Sequence, residues 1–132
     1  MTRFYDLDEA NAVLPELDAV LQVLAGQRTE LVRLRDHALA RSAGPEEPLS
    51  DEEVRLLRLR MQGLVDQMAA GVVRIDTLGI TLRDIESGLV DLPALVAGRQ
   101  VWLCWRLGEP RVDWWHELDS GFGGRRPLLE LA

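Results

Sequence analysis

Apolar residues recur three and four positions apart through the first part of the chain. Leu14, Leu17, Leu21, Leu24, Leu31 and Leu34 form one stripe, interrupted by Arg28 and widened by Val20, Val23 and Val32. That spacing puts them on one face of a helix. Glu16, Gln27, Glu30, Arg33 and Arg35 fall on the solvated face. Upstream, Asp6 and Glu9 have capping-box spacing, with Asp as the acceptor that closes the helix start. Pro15 follows inside the periodic stretch, where it removes a backbone donor and crowds the preceding turn. The pattern therefore predicts either a short first helix ending near Leu14 or a kink there. Pro15 would open a longer helix running to about Ala40, some ~39 Å long at 1.5 Å per residue.

Gly44, Pro45 and Pro48 break the pattern over 41–50. Ser50 and Glu53 then form a second capping box, with Asp51 and Glu52 in the first turn, where they suit the helix dipole. Val54, Leu57, Met61, Leu64, Met68, Ile75 and Leu78 step alternately by three and four, and Gly71 alone misses the seam. Gly79 supplies the stop. Two long helices joined by so short a connection should fold back as an antiparallel hairpin.

Beyond Gly79 the helical period gives way to short β-rich segments. Extended segments are expected over Ile80–Ile85, Gly88–Val96, Gln100–Leu107 and Arg111–Glu117, with turns at Ala97-Gly98-Arg99 and Gly108-Glu109-Pro110. Pro93 should confine its strand to an edge or a bulge. Ser120-Gly-Phe-Gly-Gly124 reads as a loop before a short closing segment, Arg125–Leu131. The expected fold is thus α+β: a helical hairpin over residues 1–79, then a small antiparallel meander of three or four strands over 80–132, packed as one unit. Alternation puts Val101, Leu103, Trp105 and Leu107 on the face toward the helices, and Gln100, Trp102, Cys104 and Arg106 on the other. Two registers join this strand to the next. The one pairing Leu103 with Trp114 and Val101 with His116 is favoured because it sets apolar against apolar. The alternative sets Cys104 across from Trp114 and Trp102 across from His116, and so exchanges the faces of the second strand. In the favoured register Trp102 and Trp115 lie on the outward face together with Arg106 and Arg111.

The 132 residues suffice for a core without disulfides. A formal net charge of −7 argues against nucleic-acid or anionic-membrane partners, although Arg125 and Arg126 make a small basic spot. The single cysteine cannot form an internal disulfide. No secretory apolar region follows Met1, and no apolar run is long enough to span a bilayer. A cytoplasmic protein without a membrane or nucleic-acid partner is expected.

The chain also resembles a family of uncharacterised bacterial proteins, domain of unknown function 2203. The matching elements are Phe4 with Glu9-Ala10-Asn11-Ala12-Val13-Leu14-Pro15, Gly79-Ile80 with Leu82-Arg83-Asp84, and Gly88-Leu89-Val90-Asp91-Leu92-Pro93-Ala94. They continue with Leu103-Cys104-Trp105-Arg106 and Gly108-Glu109, then Trp115-His116, Gly121-Phe122 and Arg126-Pro127-Leu128. The resemblance covers nearly the whole chain and implies no reaction and no catalytic residues.

Candidate chemistry concentrates in the C-terminal part. Asp84, Glu86, Asp91, Cys104, Glu109 and His116 could serve as acid–base groups or ligands, but none stands at a diagnostic metal spacing, so no metal and no cofactor is expected. Cys104 with His116 would make a nucleophile and base only if they shared a face, which the favoured register denies. No glycine-rich phosphate loop is present. Trp102 and Trp115 with Arg106 suit a protein interface, and Arg126 adds charge nearby. The leading reading is a non-enzymatic interaction or assembly protein that forms a homodimer through the hairpin seam. The alternative is a small metal-binding protein or enzyme with a site around Cys104, Glu109 and His116.

Overall fold

The computed structural model describes residues 2–131. Helix α1 (Leu7–Ala43) and helix α2 (Asp51–Thr77) form the hairpin. Strands β1 (Thr81–Asp84), β2 (Leu89–Val96), β3 (Arg99–Arg106), β4 (Trp114–His116) and β5 (Arg126–Pro127) form one antiparallel sheet in sequence order. The Arg125–Leu131 segment supplies the fifth strand, one more than the alternation predicts, by pairing Trp115 with Arg126. None of the described helices is long and apolar enough to cross a membrane.

Both capping boxes form. Asp6 accepts from the Glu9 amide at 2.7 Å, and Ser50 accepts from the Glu53 amide at 3.1 Å. Of the two outcomes that Pro15 allows, a helix end near Leu14 does not occur: α1 is a single element of 37 residues, about 55 Å long at 1.5 Å per residue. The Pro15 ring lies on the exposed side of the helix. The lost intrahelical bond is outweighed because Leu14, Leu17, Leu21 and Leu24, on either side of the proline or beyond it, are all buried in the core. The seam of α2 faces α1, and Gly71 departs from it for a steric reason. A Cβ there would come within 2.9 Å of Leu24 Cδ2. Ion pairs from Arg74 to Glu16 (2.9 Å) and from Arg60 to Glu30 (2.7 Å) set the two helices in register.

The sheet turns between β2 and β3 through Ala97 and Gly98, both at positive φ (51° and 77°). These are the backbone angles of a tight two-residue hairpin whose twist matches its strands. Pro93 sits in β2 paired with Trp102 of β3, but β1 pairs only as far as Asp91. Its carbonyl accepts from the Tyr5 amide at 2.7 Å, so its missing N–H falls on a side where no strand needs it. The edge expectation holds in this local sense.

One face of the sheet meets the helices. Val90, Leu92, Val101, Leu103, Trp105 and Trp115 join Leu14, Leu17, Leu21, Leu24 and Ile75 in the core. The favoured β3–β4 register is overturned. The pairs are Trp102 with His116, Leu103 with Trp115 and Cys104 with Trp114. Trp115 therefore points into the core, not outward, and Trp114 and His116 share the outer face with Trp102 and Cys104. Apolar matching did not discriminate, because Trp114 and Trp115 are adjacent and either can meet Leu103. The connection instead folds around polar anchors. The Trp105 indole donates to the Glu109 carbonyl at 3.1 Å, and the Val112 amide donates to the Asn11 side chain at 2.8 Å.

Leu103 is 3% exposed, so Leu103→Ala should cost about 2–5 kcal/mol. Trp102, half-buried on the outer face, should cost less on truncation to Ala. Chemical denaturation of the two variants measures both, and equal losses would mean that the outer face is as tightly packed as the core.

Candidate functional site

The outer face of the sheet is closed by its own side chains. Asp91 of β2 lies opposite Cys104 of β3, which lies opposite Trp114 of β4. Two residues along β4, His116 reaches back across β3. Its Nε2 lies 2.9 Å from Asp91 Oδ1, and its Nδ1 lies 2.8 Å from the Glu117 carbonyl. Both ring nitrogens thus face acceptors. A carbonyl can only accept, so Nδ1 carries a proton, and one further proton must lie between Nε2 and Oδ1. The other oxygen of Asp91 accepts from Arg83 Nε at 2.8 Å. Asp91, Cys104 and His116 are 3%, 0% and 2% exposed, and their ligating atoms lie within 4.8 Å of one another.

Two arginine–aromatic stacks shield this cluster. Arg83 lies 5.2 Å from the Trp102 ring. Arg125 lies 4.5 Å from the Trp114 ring and 4.3 Å from that of Phe122. Arg125 also makes a two-pronged pair with Glu109, at 3.0 and 2.8 Å, while Glu109 Oε1 accepts from the Arg106 amide at 2.8 Å. Burial alone would raise the Glu109 pKa, but the bonds from Arg125 and from the Arg106 amide outweigh it and hold the carboxyl below its ordinary value. The Cys104 thiol is pushed up to about 11, first by burial and then by the Asp91 charge, against a partial opposing effect of Arg125. Cys104 and His116 do share a face, contrary to the favoured register. Even so, the thiol stays protonated near neutral pH, and the imidazole is engaged on both sides. Neither is free to act as nucleophile or base.

The other candidates disperse. Asp84 caps a turn by accepting from the Ser87 amide (2.9 Å) and hydroxyl (2.6 Å). Glu86 is exposed and pairs with Arg28 at 3.5 Å. Arg106 stands at the exposed end of β3, 5.1 Å from the Phe122 ring. Arg126 lies over Trp115, 5.0 Å from its ring. Arg83, Trp114 and Arg125 frame the cluster although the sequence did not single them out as site residues. Arg83 stands eight residues from Asp91 with a turn between them, and a strand pair joined by a tight turn is the one local pattern that could have suggested their contact.

Fold and site together define a class: an α+β protein in which a helical hairpin covers one face of an open antiparallel meander and a sealed polar cluster occupies the other. The chain belongs to the family described as uncharacterized conserved protein (DUF2203), whose model matches residues 3–128 and so includes both the hairpin and the cluster. No curated protein and no solved structure matches it.

Asp91→Asn should leave Arg83 without its counter-charge and the buried His116 ring without its carboxylate partner, and cost about 3–5 kcal/mol, read from urea unfolding. A loss near zero would mean that the pair is replaceable. Glu109 gives a pH dependence. Its folded pKa is lowered, so its contribution is complete above about pH 4.5, the ordinary value, and is lost as pH falls through the depressed value. Glu109→Gln should therefore flatten the acid limb of the melting-temperature profile and leave its slope near neutral pH unchanged.

Proposed function

We propose that the chain is a non-enzymatic assembly protein whose hairpin pairs with a second copy of itself. The observation that carries this reading is the poor burial of α2: of its 27 residues, Ile75 alone is buried. The seam residues Val54, Leu57, Met61, Leu64 and Met68 are covered by α1 on one side and remain half-exposed, while Leu56, Leu59 and Val73 are more than half exposed at 52%, 58% and 62%. So much apolar helix surface in contact with water is the usual mark of an interaction face.

Grooves run between the helices. One of about 760 Å³ is lined by Val20, Val23 and Leu24 of α1 and by Gln67, Ala70 and Gly71 of α2. Another, of about 520 Å³, lies among Leu31, Val32, Met61 and Val65. In the first, Val23, 59% exposed, stands as a knob beside the small residues Ala19 and Ala70. In a two-fold antiparallel pair each Val23 would seat against the small residues of the other copy, as an isologous interface requires. In this reading residues 1–79 provide the interface and 80–132 brace it as part of one unit. The net charge of −7 supports a protein partner over nucleic acid. A lone buried thiol, Cys104, supports a cytoplasmic setting.

Light scattering should return twice the chain mass of 14.8 kDa at micromolar concentration. Val23→Glu should return one chain mass with the helical circular dichroism unchanged. A wild-type mass of one chain would overturn the reading.

A further inference from the structure

We infer that Asp91, Cys104 and His116 form a binding site for a zinc-class divalent cation on the outer face of the sheet. The three bring one carboxylate oxygen, one thiol sulfur and one imidazole nitrogen from three adjacent strands to within 4.8 Å of each other. Mixed sulfur, nitrogen and oxygen donors are the set that zinc accepts. Bond lengths of about 2.0–2.3 Å place tetrahedral ligand atoms roughly 3.3–3.8 Å apart. The longest separation, up to 4.8 Å, therefore closes by roughly 1 Å, while the 2.9 Å contact between His116 Nε2 and Asp91 Oδ1 opens by roughly 0.5 Å as its proton leaves. Three protein ligands leave a fourth position for water or a small anion.

The surroundings are those that orient such ligands. His116 Nδ1 donates to the Glu117 carbonyl at 2.8 Å, which fixes the ring and aims Nε2 into the cluster. Arg83 holds Asp91 Oδ2 at 2.8 Å and leaves Oδ1 facing inward. Charge is nearly met. Arg125 is matched by Glu109 at 2.8 Å, and a dication together with Arg83 meets one carboxylate and one thiolate, which leaves a single positive charge for an anion or hydroxide in the remaining position. On binding, the cation takes the sulfur lone pair and that of Nε2. Two protons leave to solvent: the one on the Cys104 thiol and the one between Nε2 and Asp91. The thiol's resistance to ionisation without a cation does not oppose this, because a bound dication deprotonates a coordinating thiol outright.

Cobalt reads the site directly, since Cys104 is the only cysteine in the chain and a thiolate-to-cobalt charge-transfer band can come from nowhere else. Full-length protein without a histidine tag, stripped with chelator, should develop that near-ultraviolet band and saturate at one equivalent of Co2+. One equivalent of Zn2+ should bleach it. Zn2+ should also raise the melting temperature of the wild type and leave that of Cys104→Ala unmoved, and His116→Gln should weaken Co2+ binding at least tenfold. A folded wild-type protein that develops no band and gains no thermal stability from Zn2+ would overturn the assignment, whatever the variants do. So would a band that survives in Cys104→Ala.

Discussion

A sheet has two faces to hide from water, and the hairpin here covers one. The other face depends on the contact between Asp91 and His116. A buried carboxylate and imidazole are tolerable only when their hydrogen-bonding capacity is met. Here Asp91 receives Arg83 on one oxygen and His116 on the other, and His116 spends both nitrogens. Because the contact crosses β3, it ties β2 to β4 directly. A slip of one residue in β4 would carry His116 into the apolar core and swing Trp115 out of it. The polar pair thus specifies a register that packing alone would leave degenerate.

The helices were legible because their information is local. Both capping boxes, the seam of α2 and the stop at Gly79 need only neighbours in sequence, and even Gly71 marks the place where Leu24 approaches too closely for a side chain. Pro15 does not end its helix because helix propensity is a weak term beside the burial of Leu14, Leu17, Leu21 and Leu24. The outer face was less legible. The register between β3 and β4 turns on a partner for His116 that lies 25 positions away, and two adjacent tryptophans satisfy a hydrophobic criterion in either alignment. Arg125 and Arg126 pose the same difficulty. They are neighbours in sequence, yet Arg125 lies over Trp114 on one side of the sheet and Arg126 over Trp115 on the other.

The cluster is sealed on purpose-built terms. Arginine planes over Trp102, Trp114 and Phe122 exclude water while keeping their own charges matched to Asp91 and Glu109. Such stacks let a polar interior lie beneath a surface that is itself partly charged. Asn11 and Tyr5 extend the same logic to the join between the two parts of the molecule. Asn11 takes the Val112 amide, and the Tyr5 hydroxyl donates to the Leu78 carbonyl. Neither strand-connecting loop nor helix end is therefore left with its backbone unsatisfied at these points.

The unequal length of hairpin and sheet has a dynamic consequence. Ala10, Leu14, Leu17, Leu21, Leu24 and Ile75 anchor the sheet-proximal part of the helices, whereas farther out Leu34 is the one buried residue of α1. Backbone amides near the sheet can exchange with solvent only when the whole core opens, while those toward the 44–50 turn need only local fraying of a single helix–helix contact. The hairpin thus has a base held by the core and a tip held by helix–helix contact alone, so its local stability should fall with distance from the sheet.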